Sequence, residues 1–127
     1  MISFDEFQIL IDEIIQTFPE VFFRELNGGV FAREHAKLHP ANHHGDLFIM
    51  GEYCVNHHLG RFIVIYYGSF ERVYGHLDEE ELAAELRRIL LHEFRHHLES
   101  LAGERDLEIE DSIQIAEYRR RVERINL

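Results

Sequence analysis

The chain has 127 residues, of which 46% are hydrophobic and 12% aromatic, so residues 1–127 are predicted to form a single domain around one packed core. Its 24 Asp and Glu against 13 Lys and Arg give a net charge of -11, which argues against nucleic acid as a partner because phosphate backbones repel such a surface. The single cysteine, Cys54, excludes an intrachain disulfide. No apolar run approaches the ~20 residues of a membrane span, so no membrane partner is expected. The predicted location is the cytoplasm.

The first predicted element is an amphipathic helix. Apolar residues recur at three- and four-residue steps from Phe4 to Phe18, Ser3 is placed to cap the helix, and Pro19 ends it. A second short helix is predicted from Glu20 to Leu26, followed by a strand from Val30 to Arg33. The segment from Glu34 to Asp46 lacks periodicity and predicts a long surface loop.

Two segments rich in Ile, Val, Phe and Tyr predict strands, Leu47 to Val55 and Arg61 to Phe70. The five residues between them include a Gly and predict a hairpin, so these strands should pair antiparallel. Histidines in the loop and the hairpin could bind metal, but a solvated surface is favoured for them. These histidines are His39, His43, His44, His57 and His58.

The longest predicted element is a helix that begins after Asp78. Asp78 is a capping residue with Glu81 three positions later, which is the capping-box pattern. No Pro or Gly follows until Gly103, so the helix should run for about 25 residues and end at a Gly103 cap. A last helix is predicted from about Asp111 to Arg124.

The long helix carries the motif His92-Glu93-Phe94-Arg95-His96. Residues four apart lie one turn above each other, so His92 and His96 can bind one zinc ion at ~2.0–2.1 Å. Glu93 points about 100° away and can act on a water without occupying a coordination position, as a general base must. His97 projects into the apolar sector, where a hydrogen-bonded core histidine that orients the site from behind is favoured over a ligand.

The sequence resembles the mini-zincins, small bacterial metallopeptidases related to the Asp-zincins, whose signature is HExxHxxGxxD. The resemblance covers nearly the whole chain and includes the doubled histidine His96-His97. It implies an α+β minimal zincin-like fold in which a small mixed β-sheet packs on helices around a central metal-binding helix. It also implies zinc-dependent peptide hydrolysis, with one Zn2+ on His92 and His96 and with Glu93 as the base.

The third metal ligand has two candidates. The GxxD element of the family is matched by Gly103-Glu104-Arg105-Asp106, which implies Asp106 as the ligand. Six residues lie between His96 and Gly103, whereas the family pattern has two between its second histidine and its glycine. The difference is about one additional helical turn, so Asp106 would have to fold back to reach the ion. Glu99 competes with it, because Glu99 lies on the same helix face as the histidines and leans toward the ion. Weaker alternatives are Glu108 and Asp111.

The predicted substrate is a peptide or protein, which would add as a strand to an edge presented by Arg61 to Phe70. Candidate donors to the oxyanion are tyrosines that are each more often packed aromatics. They are Tyr66, Tyr67, Tyr74 and Tyr118. An alternative function is a catalytically silent zincin-like scaffold that binds a peptide or protein partner. Hydrolysis of another amide or of an RNA phosphodiester is disfavoured by the acidic surface.

Overall fold

The computed structural model describes residues 1–104 and 119–120. The described chain is of the α+β class, as expected, and its elements follow in chain order. They are helix α1 (Phe4–Ile15), a 3-10 turn (Glu20–Phe23), strands β1 (Gly29–Arg33), β2 (Lys37–Leu38), β3 (Phe48–Ile49), β4 (Gly51–Asn56) and β5 (Gly60–Tyr66), and helices α2 (Tyr67–Tyr74) and α3 (Glu79–Glu104). The predicted last helix lies outside the described residues except for Arg119 and Arg120, which are helical.

The larger sheet has three strands in the order β1-β5-β4 and is mixed, as predicted. Strands β4 and β5 form the predicted antiparallel hairpin, and β1 pairs with β5 in parallel. The prediction that Arg61 to Phe70 presents an edge is wrong, because β1 and β4 flank β5 on both sides. In the described part of the chain, the hairpin strand that lies at an edge of this sheet is β4. The predicted strand is also too long, since the chain turns into helix α2 at Tyr67.

Two further expectations about local structure are corrected. The segment from Glu34 to Asp46 is not without regular structure, because β2 pairs antiparallel with β3 to form a small ribbon. Gly103 does not cap α3, since the helix continues through it to Glu104. Glycine lowers the stability of a helix by about 1 kcal/mol but does not oblige it to end.

Helix α3 lies at the centre of the molecule and packs against α1 as well as strands β4 and β5. Its apolar face is buried along its length, and Phe94 contacts the rings of Phe18, Phe22 and Phe23. The buried residues of this face are Leu82, Leu86, Leu90, Leu91, Phe94, Leu98 and Leu101. The predicted central helix is therefore confirmed, and packing on three elements fixes the position of the motif.

Both predicted helix starts are capped as expected. Ser3 and Glu6 form a reciprocal capping box at α1. Asp78 and Glu81 exchange the equivalent hydrogen bonds at α3, with Glu81 N donating to Asp78 Oδ1 at 2.8 Å. Within the described ranges, no helix combines the length and the apolar character needed to cross a bilayer.

Candidate active site

His92 and His96 lie on successive turns of α3 with their ring planes nearly perpendicular, at 89°. Their Nε2 atoms are 3.0 Å apart. Two nitrogens bound tetrahedrally to one zinc at ~2.0–2.1 Å would be about 3.3 Å apart, so the observed spacing is close to that of a ligand pair. Burial, and next the charge of His96, lower the pKa of His92, which keeps the metal-binding neutral form populated. The two imidazoles are therefore spaced much as a pair of zinc ligands would be.

Glu93 is buried beside this pair, with 7% of its surface exposed. Its carboxylate accepts a hydrogen bond from the backbone N–H of Tyr53, which ties it to β4. Burial first, and the nearby charge of Glu52 second, raise the pKa of Glu93 to about 7. A carboxyl group with this pKa can accept and release a proton near neutral pH, as a general base requires.

A second carboxylate, Glu52, faces the same region from β4 and forms an ion pair with Lys37. Lys37 Nζ lies 2.5 Å from Glu52 Oε1, and the pKa of Lys37 is raised chiefly by this contact. Lys37 also reaches the hydroxyl of Tyr66 at 3.5 Å. The pair connects β2 to β4 and so fixes the ribbon against the larger sheet.

An open cleft of about 860 Å³ lies between α3 and β4, and the two histidines of the motif, Glu93 and Glu52 line it. The ribbon contributes His39 and Ile49 to its wall. The full lining is His39, Ile49, Gly51, Glu52, Tyr53, His92, Glu93, His96, Glu99 and Ser100. One wall of the cleft is formed by Gly51, Glu52 and Tyr53 of β4, which is an edge strand of the sheet in the described part of the chain.

His97 is fully buried and hydrogen-bonded, which agrees with the prediction of a core histidine. Its Nε2–H donates to the carbonyl of Arg24 at 2.8 Å, so its Nδ1 accepts from the hydroxyl of Tyr53 at 2.9 Å. Arg61 donates to the same hydroxyl and to Ser100 Oγ. Tyr53 thus joins β4 to α3 through His97 and holds Glu93 through its own N–H.

The third ligand is not identified by the described geometry. Glu99 is exposed, lines the cleft, and has a carboxylate oxygen 4.0 Å from Arg119 Nε. Asp106, Glu108 and Asp111 lie outside the described residues. In residues 1–104 and 119–120, no group of three His, Cys, Asp or Glu side chains is arranged to hold a metal ion. The ligand assignments therefore stay predictions.

Two of the tyrosines proposed as oxyanion donors make hydrogen bonds outside the cleft. Tyr67 donates to the carbonyl of Ile2, and the hydroxyl of Tyr74 accepts from Arg88. Neither they nor Tyr66 line the cleft, and Tyr118 lies outside the described residues.

Among the histidines of the loop and the hairpin, His39 alone lines this cleft. It follows Lys37-Leu38, which gives no local signal that separates it from the other loop histidines, and sequence reasoning grouped it with the solvated loop.

Residues 49–115, slightly more than half of the chain, match the family model described as zincin-like metallopeptidase. A solved structure similar to this one is that of a conserved hypothetical protein from Thermus thermophilus. The two are 36% identical with a TM-score of 0.71, over 81% of this chain and 100% of that chain. No match was found among curated proteins.

Proposed function

The chain belongs to the zincin-like metallopeptidase family, and on that premise we propose that it hydrolyses peptide bonds with one Zn2+ held by His92 and His96. Glu93 is the proposed general base. The observation that carries the proposal is the pair of Nε2 atoms 3.0 Å apart beside a buried Glu93 whose pKa is about 7. It supports the proposal because two imidazole nitrogens and a proton acceptor lie together on about one turn of a helix.

When bound, the zinc ion would act as a Lewis acid that polarises the scissile carbonyl and acidifies water. Glu93 takes a proton from the attacking water onto its carboxylate, and it then delivers that proton to the leaving nitrogen. In the zinc-free protein the pKa of Glu93 is about 7, so this side chain can change its protonation state near neutral pH. The N–H of Tyr53 keeps the carboxylate in place between the two transfers.

We place the peptide along β4. This strand is at the edge of the sheet and lines the cleft through Gly51, Glu52 and Tyr53. An extended peptide that adds to its backbone would pass the motif on α3, with hydrogen bonds from the main chain supplying affinity. The proposed binding edge thus moves from β5 to β4.

A test of zinc binding comes first. We expect wild-type protein dialysed after zinc loading to retain one Zn2+ per chain, and His92→Ala or His96→Ala to retain none. His57→Ala is the matched control, because it removes an imidazole from the hairpin turn away from the cleft. A wild-type protein without zinc would refute the enzyme hypothesis.

Peptide turnover tests the base. Glu93→Gln should retain zinc and cleave a peptide library about 10²–10⁴-fold more slowly than wild type, because the proton acceptor is lost. Equal turnover by the two proteins would show that Glu93 is not the base.

For the third ligand we propose Asp106, with Glu99 as its competitor. The substitutions Asp106→Asn and Glu99→Gln each keep the size of the side chain and remove its charge. We expect the variant that lacks the true ligand to bind zinc at least about tenfold more weakly, while the other is unchanged. If neither affinity falls, both assignments are wrong, and Glu108 and Asp111 become the next candidates.

The second candidate function is a silent scaffold that binds a peptide or protein partner. It is favoured by one observation, namely that the described residues supply two metal donors rather than three. In that case zinc-loaded wild type and Glu93→Gln would bind a peptide with equal affinity, and neither would release products.

A further inference from the structure

His39 is an exposed residue that is held unusually firmly for a loop. It directly follows β2, and its backbone N–H donates to the carbonyl of Leu47 at 2.8 Å. Its own carbonyl accepts from both the backbone N–H and the side-chain amide of Asn42, at 3.0 Å and 3.3 Å. The ring is also anchored, because the N–H of Ala41 donates to Nδ1 at 3.0 Å. Three hydrogen bonds therefore hold the backbone of His39, and one holds its ring, which lines the cleft.

The contact with Ala41 determines which ring nitrogen carries the proton. A backbone N–H can only donate, so Nδ1 must offer its lone pair, and the proton of the neutral imidazole lies on Nε2. Nε2 has no hydrogen-bond partner among residues 1–104 and 119–120. His39, which lines the cleft, thus carries an N–H donor that has no partner among the described residues.

The same contact argues against a metal-ligand role for Nε2 of His39. To bind a metal through Nε2, the ring would have to carry its proton on Nδ1, where it would face the N–H of Ala41 and lose that hydrogen bond. Other expected donors are occupied, since the hydroxyls of Tyr67 and Tyr53 donate to Ile2 and His97. A free donor in the cleft that is not a ligand suits an acceptor oxygen on the substrate.

We propose that His39 donates its Nε2–H to the carbonyl oxygen of a bound peptide, and most strongly as that oxygen gains negative charge during attack. This inference rests on the proposed peptidase function and adds a catalytic residue to it. Because the hydrogen bond from Ala41 holds the ring and three more hold its backbone before substrate arrives, the donor needs little reorganisation in the transition state.

The first experiment reads the tautomer without requiring activity. Two-bond 1H–15N spectra of 15N-labelled protein, with the His39 signals assigned from His39→Gln, should show Nε2–H and an unprotonated Nδ1. Zinc addition should shift the signals of His92 and His96 and leave the His39 tautomer unchanged. A proton on Nδ1, or zinc on Nε2, would overturn the proposal.

The second experiment measures kinetics in the zinc-loaded enzyme. His39→Ala should lower kcat about 10²–10³-fold, as removal of an oxyanion donor does, with zinc affinity changed by less than about twofold and KM raised about fivefold by the lost hydrogen bond to the bound peptide. His39→Gln should recover part of the loss through its amide N–H. His43→Ala is the matched control, because His43 belongs to the same loop and does not line the cleft. An unchanged kcat in His39→Ala would contradict the proposal.

Peptide binding separates failure of this inference from failure of the proposed function. If wild type binds library peptides without cleaving them, the peptidase proposal fails, and His39 is then judged by affinity. We expect His39→Ala to bind the same peptides at least about fivefold more weakly, since it lacks one hydrogen bond to the ligand. Equal affinity overturns the role of His39, and no binding by wild type overturns both proposals.

Discussion

Replacing Glu93 with Gln should stabilise the zinc-free protein, and the gain should grow as the pH rises. Burial and the charge of Glu52 raise the pKa of Glu93 from its ordinary 4.5 to about 7 in the folded chain. Below pH 4.5 this carboxyl is neutral in the folded and unfolded states, so its favourable contribution is fully present. Between about pH 4.5 and 7 the unfolded chain ionises first, and that contribution is lost.

The size of the effect follows from the displaced pKa. One pKa unit corresponds to about 1.4 kcal/mol, so a change from 4.5 to about 7 corresponds to about 3 kcal/mol above pH 7. Gln has the same size as Glu, and its amide oxygen can still accept the N–H of Tyr53. Burial lowers the pKa of His92 and of His97, which gives a pH dependence of opposite sign, but both histidines are present in both proteins.

Urea denaturation of metal-free wild type and Glu93→Gln from pH 4 to pH 8 measures this difference. The free energies of unfolding should agree within about 0.5 kcal/mol at the acidic end, where both side chains are neutral, and this end is the internal control. They should diverge to about 3 kcal/mol at pH 8. A constant difference across the whole range would refute the conclusion that Glu93 is desolvated in the folded protein.

The remaining predictions concern the framework that supports the site. His97→Phe should lower the free energy of unfolding by about 2–4 kcal/mol, because the Arg24 carbonyl loses its donor and the Tyr53 hydroxyl loses its acceptor. Tyr53→Phe should lower the same free energy by about 1–2 kcal/mol. Phe94→Ala should cost about 3–5 kcal/mol through the cavity left among three rings, which guanidinium denaturation would measure. Ser3→Ala should cost about 1 kcal/mol by removing the α1 cap, and it should appear as a lower Tm with the motif intact.

Features with local causes were predictable from the sequence. The capping box at Asp78 placed the start of α3, and its apolar spacing identified the buried face. The burial of His97 followed from the same periodicity. These predictions hold because a helix cap and the three- and four-residue spacing of an apolar helix face involve residues that are close in the sequence.

Sheet order and the contents of the cleft were less predictable because they depend on distant segments. The segment from Arg61 to Phe70 reads as one strand since it is rich in Ile, Val, Phe and Tyr, yet its last four residues are buried on α2. The parallel pairing of β1 with β5 leaves no local pattern in either strand. His39 resembles any loop histidine until the pairing of β2 with β3 brings it to the cleft.

The open choice of third ligand has the same physical origin. Helix α3 continues through Gly103 to Glu104, so its described end lies about 12 Å along the axis from the second histidine. A ligand role for Asp106 therefore requires the following chain to reverse direction. Glu99 requires only a change of rotamer away from Arg119, an exposed contact at 4.0 Å worth at most about 1 kcal/mol. The family motif favours Asp106 and the cost of reaching the ion favours Glu99, so the zinc affinities of the two variants measure which consideration prevails.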